Sequence, residues 1–276
     1  VKDIDILLFD MQDVGARFYT YISTLHYVME SCAENDIQLI VLDRPNPNGN
    51  YIDGPIRQEG YKSFVGMHPI PIVHGMTIGE YALMINGENW LAQALKTDLV
   101  VIPCENYDRY MEYELPISPS PNLKNSNAIS LYPSLCLFEG TILSEGRGTN
   151  YPFELFGHPS LPKEKYNYSF TPKSMEGAKY PKLENKVCNG ALLVNYSEKN
   201  KIDKINLEWL IEAYENFPNK SEFFITKNRW FDILAGTDAL RKSIIEGKTA
   251  QEIRESWKED LENFIMVRRQ YLIYPE

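Results

Sequence analysis

Short unbroken apolar runs alternate with amphipathic stretches along the first 130 residues. Residues 6–9 (ILLF) and 37–42 (IQLIVL) read as buried strands. Between them, Ile22, Leu25, Val28 and Met29 recur on one face of a helix predicted over 22–34. Extending each run to its first polar residue predicts strands over 4–10, 37–43 and 99–103. A further helix is predicted over 78–87, with Thr77 as its N-cap and Glu80 completing a capping box. Asn48-Gly49 and Asp53-Gly54 mark turns. This strand–helix rhythm implies a mostly parallel sheet.

The rhythm fades from 116 to 162, where Pro, Gly, Ser and Asn accumulate around two apolar runs, 129–131 and 135–138. The segment is too long for a linker and reads as an extended loop region, a kind that is commonly functional or disordered. A Lys/Tyr-rich stretch follows, then a strand over 190–196. Helical patterns over 207–217, 237–246 and 249–270 close the chain, the last opening on a capping box of Thr249 and Glu252. The expected fold is α/β, with a mostly parallel sheet domain over 1–164 and a smaller C-terminal α/β domain over 165–276. The chain opens at Val1 almost inside a strand, so the first domain is expected to be N-terminally incomplete, part of a longer natural chain.

Composition narrows the partners. A net charge of −10 over 276 residues argues against nucleic acid and against an anionic membrane surface. No apolar run approaches the length of a transmembrane helix, and no signal peptide precedes the first strand. The four cysteines lack any Cys-x-x-Cys pair, which removes zinc-ribbon and disulfide-scaffold readings and leaves four free thiols, or one isolated disulfide, as the expectation.

The polar residues that matter stand at strand ends, where open α/β sheets bind ligands. The first strand runs into Asp10, Asp13, Arg17, Tyr19 and Tyr21, and the second into Asp43, Arg44, Pro45, Asn46 and Pro47. Asp10 and Asp13 suit acid/base work or hydroxyl recognition, or they cap loop amides. Arg17 pairs internally or clamps a carboxylate bidentately. The two prolines bias Arg44 and Asn46 toward extended backbone, presenting their side chains, or they build a structural turn. His74 beside Gly75 is a candidate polar contact. Its spacing to His68 does not suit a helical metal pair, so no metal is assigned. Glu139 and Arg147 lie on a glycine-punctuated stretch, with Glu139 a candidate general acid or the partner of Arg147 in a salt bridge. No dinucleotide, Walker or nucleophile-elbow motif occurs. Carboxylates, arginines and tyrosines together suit a carbohydrate.

Several long motifs in one order, FDMQDVGARFYTYIST, VLDRPNP, SFVGMHPIPIVHGMTIGE, FEGTILSEGRGT, AGTDALR and the closing segment from SW to YLIY, resemble the NamZ-type exo-β-N-acetylmuramidases. The resemblance spans essentially the whole chain. It implies a Rossmann-like domain with a cleft toward a smaller C-terminal domain, and exo-acting release of N-acetylmuramic acid from the non-reducing end of peptidoglycan fragments. It also implies no cofactor, a small muropeptide-derived sugar as substrate, and a periplasmic or extracellular setting. Arg17, Arg44 and Arg147 would supply the cation for the sugar's lactyl carboxylate. The family's Gly-Pro-Glu-His-Gly loop, which bears its proposed catalytic glutamate, does not occur in these residues. Of the carboxylates present, Asp10 and Glu139 stand as candidates for the second catalytic carboxylate that a glycosidase needs beside that glutamate. Asp13, Arg17, Tyr19, Tyr21, Asp43, Arg44, Asn46, His74 and Arg147 stand as the candidate substrate contacts. Two rival readings are a non-catalytic muropeptide- or glycan-binding protein and a carboxylate-based metal hydrolase built on Asp10, Asp43 and His74.

Overall fold

The computed structural model describes residues 3–275 and divides the chain into two compact units, 3–113 with 259–275, and 114–258. The boundary expected at 164/165 falls inside the second unit, and the C-terminal segment returns to the first.

The first unit holds a parallel sheet of β1 (Ile6–Phe9), β2 (Gln38–Leu42) and β3 (Leu99–Ile102), in the order β1-β2-β3. Its register pairs Leu7 with Leu39 and Leu39 with Leu99. One face packs Phe9, Leu39 and Val41 against α1 (Tyr21–Glu34) and α2 (Ile78–Gly87), through Leu25, Met29, Ile78 and Ile85. Side chains alternate across a strand, so Ile6 and Leu8 point the other way and remain exposed. The apolar run of β1 is thus half buried rather than buried on both faces. The capping box that the sequence predicts on α2 is present, with the Thr77 hydroxyl accepting the Glu80 N–H and the Glu80 carboxylate accepting the Thr77 N–H.

The second unit begins where the sequence pattern is weakest. The expected extended loop instead contains α3 (Ser126–Leu135), a 3-10 turn over Cys136–Gly140, and β4 (Leu155–His158). Asn125 caps α3 by accepting the Ala128 N–H. Pro133 sits inside the helix, and together with Ser126, Asn127 and Ser134 it hides the helical pattern from periodicity alone. An antiparallel sheet forms from β4, β5 (Tyr168–Phe170) and β6 (Cys188–Leu192), in the order β4-β6-β5. Gly157 and Gly190 face each other across it, and the Phe170 ring fills the space their missing side chains leave.

Helices α4 (Tyr196–Lys199), α5 (Glu208–Asn216), α6 (Lys220–Phe223), α7 (Trp230–Ala235), α8 (Ala239–Ile245) and α9 (Ala250–Glu255) follow, and α10 (Lys258–Arg268) leads back to the first unit. The helix expected over 249–270 is therefore two, interrupted at Ser256 and Trp257. All four cysteines are free thiols. No helix among the described residues is long and apolar enough to cross a membrane.

Candidate active site

In the first unit the loops after β1 and β2 are stitched together by side-chain amides. Gln12 donates to the carbonyls of Asp13 and Pro45, each at 2.8 Å. Asn48 donates to the Val14 carbonyl at 2.9 Å. Asn46 donates to the Met76 carbonyl and accepts the Asn48 N–H, both at 2.8 Å. Gly15 makes this contact feasible, because its φ is +73° and a Cβ there would lie 2.2 Å from Asn46 Oδ1.

Five candidate residues are buried in this framework. Asp43 accepts the Gly79 N–H at 2.7 Å on one oxygen and the Tyr274 hydroxyl at 2.6 Å on the other, placing a carboxylate at the N-terminus of α2. Arg17 is fully buried and donates to the carbonyls of Pro55 and Ile70 at 2.8 and 2.6 Å. Burial, and then Arg57, lower its pKa to about 9, so it stays charged at neutral pH. Of the two readings of Arg17, internal pairing or a ligand clamp, the geometry agrees with an inward-turned guanidinium, though onto backbone carbonyls. Asp43, Asn46 and His74 likewise present no solvent-facing side chain.

Asp13 and His74 form a strongly perturbed pair. Asp13 Oδ2 accepts the Gly15 N–H at 2.7 Å and lies 3.7 Å from His74 Nε2. Burial pushes Asp13 from 3.8 up to about 7, against the pull of the Gly15 and Val14 amides. Burial, then Arg268 and Arg17, push His74 down to about 3. The Met76 N–H points at Nδ1 of this neutral ring at 3.3 Å, so its proton resides on Nε2, toward Asp13. A buried polar chain lies nearby: His68 Nδ1 is 2.8 Å from the Tyr81 hydroxyl, and His68 Nε2 is 3.0 Å from His26 Nδ1.

What the first unit offers to solvent is different. Arg44 Nε pairs with Asp10 at 2.6 Å, and both side chains are more than 40% exposed. The half-buried Tyr19 and Tyr21 rings meet edge to face at 5.0 Å. The metal reading gathers no site, because among the described residues no three His, Cys, Asp or Glu side chains converge. A groove of about 290 Å³ lined by Met84, Trp90, Phe264, Glu88 and Asp260 contains none of the candidates.

Glu139 and Arg147 belong to the second unit. The turn after α3 carries Glu139, whose carbonyl accepts the Trp230 indole N–H at 3.1 Å. Gly140 permits the chain to pass Phe231, where a Cβ would lie 2.6 Å from its Cα. Arg147 grips Glu139 Oε1 through Nη2 at 2.9 Å and Nε at 3.3 Å, and its Nε is also 3.6 Å from Glu145. Lys182 Nζ closes the group, 2.7 Å from Glu145 and donating to the carbonyls of Phe138 and Thr141.

Burial and the neighbouring Glu145 raise the Glu139 pKa, while Arg147 and Lys182 offset part of the rise. Burial opposes the charge of Arg147, but the two glutamates outweigh it and its pKa rises. The Arg147 guanidinium lies 4.9 Å from the Phe153 ring centroid. Phe153 is itself held at a φ of +57°, a strained conformation for a bulky residue. Glu139 and Arg147 were legible as a pair. Lys182 and Trp230 carried no signal, because they reach the cluster from 44 and 91 residues away.

An α/β protein whose reachable chemistry is carboxylate, guanidinium and tyrosine has the equipment of a carbohydrate-active protein. Comparison with known proteins narrows that class. The family description for the N-terminal part of the exo-β-N-acetylmuramidase NamZ matches residues 1–127, and that for its C-terminal part matches 130–274. The chain belongs to the NamZ exo-β-N-acetylmuramidase family. It is 39% identical over 289 aligned residues to the peptidoglycan β-N-acetylmuramidase NamZ of Bacillus subtilis, covering 99% of this chain and 68% of the relative. Crystal structures of two DUF1343 family proteins from Bacteroides fragilis share the fold. One has a TM-score of 0.93 at 52% identity, covering 99% of this chain and 76% of its own. The other has a TM-score of 0.86 at 28% identity, covering 100% and 76%.

Proposed function

We propose that this protein is an exo-acting glycoside hydrolase that releases N-acetylmuramic acid from the non-reducing end of peptidoglycan fragments. One observation carries the reading: two family matches in the order of that enzyme cover almost the whole chain. The geometry adds residues to it. Cleavage of a glycosidic bond needs a carboxylic acid that gives its proton to the leaving oxygen. Among the candidate catalytic carboxylates, Glu139 has its pKa raised by burial and by Glu145, yet its side chain is still 22% exposed. Glu139 is the proposed proton donor.

The test is hydrolysis of a chromogenic β-glycoside of N-acetylmuramic acid, beside glycan fragments with N-acetylmuramic acid at the non-reducing end. Chromophore release, free N-acetylmuramic acid from the fragments and indifference to chelator are expected. Tight binding without turnover would replace the enzyme with a glycan-binding protein, and turnover abolished by chelator would replace it with a metal hydrolase.

A further inference from the structure

Arg147 holds Glu139 with one edge of its guanidinium, the edge formed by Nε and Nη2. The other edge, Nη1 with the remaining Nη2 hydrogen, has no hydrogen-bond partner among the described residues, and the side chain is one-third exposed. Two glutamates and the Phe153 ring fix the group, so the free edge is preorganised for a planar anion. The strained backbone of Phe153, directly beneath it, marks the same place, since such strain persists at sites that use it.

Resting on the hydrolase reading above, we propose that Arg147 is the residue that selects N-acetylmuramic acid over N-acetylglucosamine, taking the lactyl carboxylate on its free edge, and that this contact loads the adjacent Glu139 with a proton. The charges around Glu139 make the coupling unavoidable. Glu145 opposes its ionisation, while Arg147 and Lys182 favour it. A substrate carboxylate on Arg147 adds a second anion beside Glu139 and takes over part of the guanidinium's charge. The acid form of Glu139 is then favoured, and one proton is taken from solvent as the substrate binds. That proton passes to the glycosidic oxygen as the C1–O bond breaks. The water that adds at C1 leaves its hydroxyl on the sugar and returns a proton to Glu139 or solvent. A sugar without the lactyl group binds without loading the acid.

Two measurements test this on the full chain. In the first, calorimetric binding of free N-acetylmuramic acid is compared in buffers of different ionisation enthalpy near pH 6.5. Proton uptake is expected with N-acetylmuramic acid and none with N-acetylglucosamine. Equal proton linkage for the two sugars would overturn the coupling. In the second, kcat/KM is measured on chromogenic glycosides of both sugars. Arg147→Gln is expected to lose roughly 10- to 100-fold more on the muramic acid glycoside than on the other, the range of one lost charge-assisted bond. Arg147→Lys is expected to restore part of the preference. If Arg147→Gln folds and keeps the parent's preference, the assignment of Arg147 falls while the hydrolase reading stands. If the parent cleaves neither glycoside, the hydrolase reading falls first.

Discussion

At the scale of single residues, burial decides what a charged group does. Asp13 and His74 are neighbours pushed in opposite directions, and stability should record both. The folded pKa of Asp13, about 7, exceeds its ordinary 3.8, so the native state holds this proton more tightly than the unfolded chain. Its contribution is complete below about pH 4 and is lost as pH rises through 7. His74 works the other way, its contribution present above 6.5 and lost as pH falls toward 3. Asp13→Asn removes one arm. The variant should match the parent near pH 4 and gain on it progressively, by about 4 kcal/mol at most above pH 7. Urea unfolding across pH 4–8 reads the difference, and a flat difference curve would show that Asp13 titrates normally.

Arg17 carries a different expectation from the one its neighbours in sequence suggest. Its partners are backbone carbonyls 38 and 53 residues away, which no local pattern reveals. Arg17→Ala leaves those carbonyls unsatisfied and should cost about 3 kcal/mol or more in folding. Any remaining hydrolysis should keep the parent's sugar preference. A selective loss on N-acetylmuramic acid, with unchanged Tm, would return Arg17 to the substrate. The Glu139–Arg147 pair was legible for the opposite reason, since its members are eight residues apart in one motif.

At the scale of elements, legibility follows how local the governing interaction is. Both capping boxes were readable because donor and acceptor lie three residues apart. Helix α3 escaped because Pro133 interrupts its pattern, although its Asn125 cap is also a local signal that could have been read. The α2 cap separates two energies. Thr77→Ala should cost about 1 kcal/mol, the worth of one N-cap. Glu80 does more than cap: its buried carboxylate lies 2.7 Å from Arg109 and accepts the Ile273 N–H at 3.0 Å. Glu80→Ala leaves Arg109 buried without its counter-charge and should cost about 3–5 kcal/mol. Equal losses for the two variants in chemical denaturation would mean that Glu80 contributes as a cap alone.

At the scale of the whole molecule, the chain crosses from the first unit to the second and back, so the first unit is not complete until its last residues are in place. The returning segment supplies Phe264 and Val267 to the sheet's apolar layer and anchors two loops. Arg268 donates Nη2 to the Gly75 carbonyl at 2.6 Å, and Arg109 donates to the same oxygen at 2.9 Å, fixing the turn that carries His74. The Tyr274 hydroxyl donates to Asp43 at 2.6 Å and accepts the Cys104 N–H at 2.7 Å, joining the ends of β2 and β3 to the C-terminus. The contacts of Tyr274 span 170 and 231 residues, which is why helical and strand periodicity leaves the C-terminal return out of the first domain. Tyr274→Phe removes one hydroxyl and takes a hydrogen-bond partner from buried Asp43 and from the half-buried Cys104 amide, for an expected cost of about 1–3 kcal/mol. Because the lost bonds lie wholly within the first unit, hydrogen exchange should quicken at β2, β3 and the start of α2. Exchange at β4 and β6 should hold at the parent's rate. A uniform rise across both units would mean that they open as one cooperative body, and the C-terminal return would then govern the stability of the entire chain.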